Sequence, residues 1–192
     1  MITGALLCVA AGAVSVMAES PYVAYRSQTP TLPVAFEYPA GWTAERSRGS
    51  AEAYDQVQLF APEPAPAHVR SYIAVRAMPA KAQGGRYADA ADMIASYRQT
   101  QMPMLAVTGE STIMVLGVPA VQLEIRGQMA LPWKAAHPEM VSMQGQRVFF
   151  EKDGRLYELS WMAPEESASP TAAAFGHVVR TLVPADEASP LP

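Results

Sequence analysis

The stretch Arg147-Val148-Phe149-Phe150-Glu151-Lys152-Asp153-Gly154-Arg155-Leu156-Tyr157-Glu158-Leu159-Ser160-Trp161-Met162-Ala163 decides the fold class. Two strand-like runs, 147–152 and 155–163, flank a single Asp-Gly pair. A two-residue Asp-Gly link favours a type I′ turn, whose twist matches that of the strands it joins. Tyr157, Leu159 and Trp161 fall on one face of the second run, because side chains two apart in a strand point the same way. The stretch therefore predicts an antiparallel hairpin with a buried face.

Working outward, a second strand pair is predicted over 107–116 and 118–127, meeting near Gly117. Val121, Leu123 and Ile125 alternate with Gln122, Glu124 and Arg126, so one face is buried and the other wet. Three further strands are predicted upstream. They are 34–38, stopped by Pro39-Ala40-Gly41; 54–60, with Val57 and Leu59 opposed to Gln56 and Gln58; and 71–78, with Ile73 and Val75 opposed to Ala74 and Arg76. The alternating prolines of 61–67 cannot supply ladder donors and form an extended connection. Residues 89–104 read as a helix, with Ala90, Met93, Ile94, Tyr97 and Met104 on one stripe and Pro103 near its end. A last helix opens at Ser169-Pro170, as N-cap and first-turn proline, and Pro184 ends it. Its stripe is Ala172, Phe175, Val178, Val179 and Leu182. Neither helix can bury its stripe alone, so both must cover the sheet. The predicted class is α+β, with a single antiparallel β-sheet flanked by helices in an α/β/α sandwich.

The margins carry a different pattern. Residues 1–18 contain no charge, and 5–17 are almost wholly small and apolar. That run is too short to span a bilayer, which takes about 20 residues, and it suits the apolar part of a signal peptide. Val16-Met17-Ala18 offers small residues at −3 and −1 of a cleavage site. A positive start is missing, since no Lys or Arg precedes Arg26; a start codon further upstream is one explanation, and a buried N-terminal helix is the alternative to a signal. Cys8, the one cysteine, lies in this segment after Leu6-Leu7, which fits a lipoprotein site poorly. Cleavage after Ala18 leaves no cysteine for disulfides, thiolate chemistry or zinc. The organisation expected is signal peptide 1–18, linker 19–33, one domain 34–183 and a disordered tail 184–192.

Half of the residues are apolar and 17% are charged, enough for a core and too little charge for a disordered chain. Net charge is −4, and no basic stripe suggests a nucleic-acid partner. His68, His137 and His177 form no metal-ligand spacing. No G-x-S-x-G elbow occurs, and Gly84-Gly85 lacks the phosphate-loop pattern around it. Glu165-Glu166 and Asp186-Glu187 read as solvated charges. No catalytic residue, metal site or cofactor is expected.

Phe36-Glu37-Tyr38-Pro39-Ala40-Gly41-Trp42 resembles the F-x-Y-P-x-G-W opening of the PsbP-like family. Gly117-Val118-Pro119-Ala120 and Arg155-Leu156-Tyr157-Glu158-Leu159-Ser160, followed by a helix with Phe175, continue the resemblance in order. It implies an antiparallel sheet sandwiched by helices. The family includes a photosystem II extrinsic subunit, a nuclear Ran-binding protein and exported bacterial proteins, which implies a binding or assembly role without a catalytic residue set. The expected product is a non-catalytic, periplasmic or secreted monomer that binds an unknown protein or lipid, with no membrane span once the signal is removed. The alternative is a small-molecule or lipid carrier with a pocket between sheet and helix. The expected contact surface is the irregular, Met-rich stretch 128–144, with Trp133, Lys134 and His137 as partner-binding residues. Long irregular loops are often functional, and tryptophan is enriched at interface hot spots. A lid over the sheet edge is the plainer reading of the same stretch.

Overall fold

A computed structural model of the chain describes residues 21–49, 54–62, 69–100, 104–131 and 137–188. The candidate signal peptide and most of the proline-rich connection lie outside the described residues. The described residues form strands β1 (Tyr22–Arg26), β2 (Val34–Pro39), β3 (Thr43–Gly49), β4 (Tyr54–Phe60) and β5 (Tyr72–Pro79). Helix α1 (Ala90–Thr100), β6 (Leu105–Val115), β7 (Val118–Leu131), β8 (Glu139–Lys152) and β9 (Arg155–Pro164) follow, then helix α2 (Ala168–Thr181) and β10 (Val183–Pro184).

The expected single sheet is two sheets. One has seven strands in the order β3-β4-β5-β9-β8-β7-β6, and the other has three in the order β1-β2-β10. Every pairing is antiparallel. After the β3-β4-β5 meander, the chain crosses by α1 to the far edge. It returns through β6, β7 and β8, so that β9 closes the sheet against β5.

Both Gly-containing hairpins form as the sequence predicts. Leu116 and Gly117 have φ of 51° and 76°, and Asp153 and Gly154 have 51° and 71°. Two successive positive φ values define a type I′ turn, which glycine enters without the Cβ clash of other residues.

The smaller sheet corrects the predicted margins. The linker expected over 19–33 contains β1, which pairs with β2 from Tyr22↔Pro39 to Arg26↔Ala35. The tail expected from residue 184 begins inside β10, where Pro184 pairs with Val34. The last helix also starts earlier than Ser169. Its N-cap is Ser167, without a side-chain cap bond, and Pro170 sits within the first turn, where its missing N–H costs nothing.

Strand alternation divides the core. Tyr157, Leu159 and Trp161 point to the α2 side and pack with Phe36, Val57, Val75, Val148, Phe150, Phe175 and Val178. Trp42 packs half-buried against that cluster, a structural position for the last aromatic of the family-like opening. Leu156 points the other way and packs with Met93 and Ile94 of α1, Leu123 and Phe149. Each such side chain, fully buried, contributes about 1.5–3 kcal/mol. A helix therefore lies on each face of the large sheet, and the small sheet shares the α2 side.

Candidate functional site

The described residues of the stretch 128–144 are mostly regular. β7 and β8 remain paired from Gln128↔Ser142 to Leu131↔Glu139, so the expected irregular loop is the far end of a long hairpin. Met129, Leu131, Val141 and Met143 pack with Leu105, Ile125 and Met162, which is why the strands persist. Trp133 and Lys134 lie outside the described residues, and His137 is exposed just before β8.

The long hairpin outruns α2 and leaves an open cleft of about 480 Å³ on the α2 side. Glu124 and Arg126 of β7 and Gln144 and Gln146 of β8 form its floor. The first turns of α2 form a wall, with Ala168, Ser169 and Ala172. Trp161 donates through Nε1 to Gln146 Oε1 at 3.1 Å, and Gln144 Nε2 donates to Glu165 Oε1 at 3.2 Å. Trp161 is only 4% exposed, so its ring closes the floor and offers no stacking face. The lining is rich in carboxylate, guanidinium and amide groups. It can exchange hydrogen bonds with a polar ligand and is a poor place for an acyl chain. This cleft does lie between sheet and helix, yet Met129 and Met143 are not among its lining residues.

The opposite face carries a polar ladder, buried at Gln56 and Glu158, that is absent from the sequence expectations. Ser47, Gln56, Arg76 and Glu158 stand opposite one another across four strands. Gln56 Nε2 donates to Ser47 Oγ at 3.2 Å, and Arg76 donates through Nε and Nη2 to Gln56 Oε1 at 3.0 and 2.9 Å. Glu158 accepts from Arg76 Nη1 at 3.1 Å and from Arg147 Nη1. The guanidinium of Arg76 lies 4.3 Å from the centre of the Tyr54 ring, and that of Arg147 lies 4.5 Å from Tyr97. Burial opposes the Arg147 charge, but Glu158, Tyr97 and Tyr72 outweigh it and raise its pKa. Both Glu158 oxygens are engaged by guanidiniums, so the ladder satisfies its own charges and presents no free base. The signal in the sequence is Gln56 and Arg76 alternating with apolar residues on their strands. Only the pairing of β5 with β9 brings Glu158 beside Arg76, and that pairing is not visible in any one strand.

A third polar contact ties α2 to the small sheet. His177 lies 2.9 Å from Glu37 Oε2 through Nε2, and Tyr22 stacks on its ring at 3.6 Å. His177 is thereby a fastening on the helix flank. Among the described residues, no group of three or more His, Cys, Asp or Glu could hold a metal ion, and no helix is long and apolar enough to cross a membrane.

A seven-stranded antiparallel sheet with a helix on each face and a small accessory sheet defines an α+β sandwich of the PsbP and Mog1p type. The profile of the PsbP-like protein family matches residues 17–179, and the chain belongs to that family. This bears out the resemblance read from Phe36 to Trp42 and onward. The structure is similar to cyanobacterial PsbP (CyanoP) from Synechocystis sp. PCC 6803, with 14% identity and a TM-score of 0.53 over 92% of this chain and 98% of that one. It is similar to LpqN, involved in cell envelope biogenesis of Mycobacterium tuberculosis, with 15% identity and a TM-score of 0.52 over 84% and 89%. It is also similar to the Saccharomyces cerevisiae Ran-binding protein Mog1p, with 10% identity and a TM-score of 0.52 over 85% and 95%. A comparison with curated proteins returns no match. At these identities the structural likenesses speak for the fold alone.

Proposed function

We propose that this PsbP-like protein is an exported, non-catalytic binding or assembly factor with a protein partner. The observation that carries this reading is the family match over residues 17–179. The neighbours support it: one binds Ran, and another is involved in cell envelope biogenesis. The polar, open cleft supports a protein or other polar partner over the lipid-carrier alternative, because an acyl chain needs an enclosed apolar cavity. The apolar run and Val16-Met17-Ala18 support cleavage after Ala18 and delivery to the periplasm or medium. The mature domain then acts as a monomer whose contact surface includes Trp133, Lys134 and His137.

The test is crosslinking in the native host, followed by intact-mass analysis and identification of attached proteins. The expected result is a mature chain starting at Glu19 and a recurrent protein adduct. A soluble cytoplasmic species retaining Met1, or adducts with lipid only, would overturn the reading. Trp133→Ala is expected to lower partner recovery roughly tenfold while changing stability by less than about 1 kcal/mol, as interface anchors do.

A further inference from the structure

The outer strands of the large sheet are β3 and β6. Strand edges expose unpaired backbone groups, and proteins commonly guard them with charges. β3 is guarded: Glu45, Arg46 and Arg48 are charged within its seven residues. β6 has eleven residues and one charge, Glu110, which is paired with Arg98 of α1. Val115 pairs with Val118 beside the two-residue turn, so its N–H and C=O face β7. By alternation, the backbone groups of Met114, Thr112 and Glu110 face outward. Among the described residues, nothing pairs with them. Met114 is 64% exposed beside them.

The same edge carries a free carboxylate. Gly109 of β6 stands opposite Glu124 of β7, and a Cβ at Gly109 would lie 3.0 Å from Glu124 Oε2. The missing side chain lets Glu124 lie across β6 on the α2 side. Glu124 is exposed and makes no hydrogen bond or ion pair among the described residues.

We infer that the β6 edge accepts an extended segment of another protein as an added strand, with a lysine or arginine of that segment meeting Glu124. This rests on the binding-factor reading and gives its partner a chemistry: a β-prone, basic segment. Backbone pairing along residues 109–115 supplies attachment, and the alternate side chains supply selectivity. The segment's charge is chosen by Glu124, because Arg98 already neutralises Glu110 on the other side. A second copy could offer its own β3, whose Arg46 and Arg48 point to the α2 side, and that is an outcome the experiment separates from this one.

The experiment pans phage-displayed random linear peptides on the mature chain, with Thr112→Pro and Glu124→Lys as comparison targets. Proline at 112 removes an outward donor without removing a bond to β7. Glu124→Lys changes only an exposed side chain and keeps the test usable if the proline variant does not fold. The expected peptides alternate β-branched or aromatic residues with Lys or Arg. Their affinity falls roughly tenfold or more on each variant, a loss of about 1.4 kcal/mol. Peptides without a basic bias, or binding unchanged on both variants, would overturn the edge site. So would concentration-dependent self-association of the wild type that Glu124→Lys abolishes, which assigns the edge to a second copy. Crosslinked partners that persist on Glu124→Lys would overturn the edge and leave the binding-factor reading standing.

Discussion

The two faces of the large sheet are each covered by a helix, yet they are buried by different physics. On the α2 side, Phe150 stacks on Tyr157 with centroids 4.8 Å apart and rings 5° from parallel, and the surrounding cluster is almost wholly apolar. On the α1 side, apolar patches around Leu123 and Phe149 sit beside a ladder of Gln56, Arg76, Glu158 and Arg147. The apolar face gains from every area removed from water, whereas the ladder mainly avoids a loss, because charges out of water are tolerated only when paired. Truncating the first face should remove favourable energy, and breaking the second should create unfavourable energy.

The largest effect is expected at Phe150, which is 1% exposed. Phe150→Ala should cost roughly 3–5 kcal/mol in urea denaturation. A loss below about 1 kcal/mol would mean that the α2 side is loosely packed and the contrast between faces is false.

Glu158→Gln should come next. It leaves Arg76 and Arg147 facing each other without their carboxylate, at a cost of roughly 2–3 kcal/mol, moderated because both guanidiniums are about a quarter exposed. The sharper measurement is the triple replacement of Arg76, Arg147 and Glu158 by Met, Met and Leu. It should be less destabilising than Glu158→Gln alone. If it is worse, the ladder is a net source of stability and the two faces are more alike than argued.

Gly154→Val strains a turn at φ of 71° that serves both faces equally, and it should cost about 1 kcal/mol or more. Its effect should add to that of either face, and a double mutant with Glu158→Gln that departs strongly from additivity would break that independence.

The smallest expected effect is alkaline. Burial raises the phenol of Tyr157 on the α2 side above its ordinary value of 10.0, partly offset by Arg155. Burial raises Tyr97 on the α1 side, partly offset by Arg147. A raised folded value means the folded chain keeps a proton that the unfolded chain has lost. Stability is therefore full below about pH 10 and falls as pH rises through and beyond it. Tyr157→Phe and Tyr97→Phe should each flatten the fall of Tm above that pH. An unchanged alkaline slope in either variant breaks the burial claim for its face.

Legibility in the sequence follows the distance over which a contact acts. The hairpin at Asp153-Gly154 and the pair meeting at Leu116-Gly117 were readable, because the turn residues and the alternating side chains are neighbours in the chain. The stripe of α1, with Met93 and Ile94, was readable for the same reason. Gly127, Pro132 and Pro138 punctuate the far end of β7 and β8, and the alternation of Met129 with Leu131 and of Val141 with Met143 is blurred by the apolar Ala130 and Met140 on the opposite face. A pocket between sheet and helix is among the sequence expectations, but its lining residues were out of reach, since they come from β7, β8, β9 and α2.

What the sequence determined by itself is therefore local: the strand and helix periodicities, the type I′ turn at Asp153-Gly154, the strand pair meeting near Gly117, the family-like opening from Phe36 to Trp42, and the absence of any catalytic motif spacing. Tertiary structure alone decided that there are two sheets, because β1 and β10 exist only by pairing with β2, and Val183 meets Ala35 across most of the chain. It alone decided that Arg76, Arg147 and Glu158, from three different strands, meet in one ladder. Alternation in a strand reports that its two sides differ. What covers each side depends on segments far away in the chain: here α1 covers the Leu123 side of β7, whereas Glu124 and Arg126 on its other side border the open cleft beside α2.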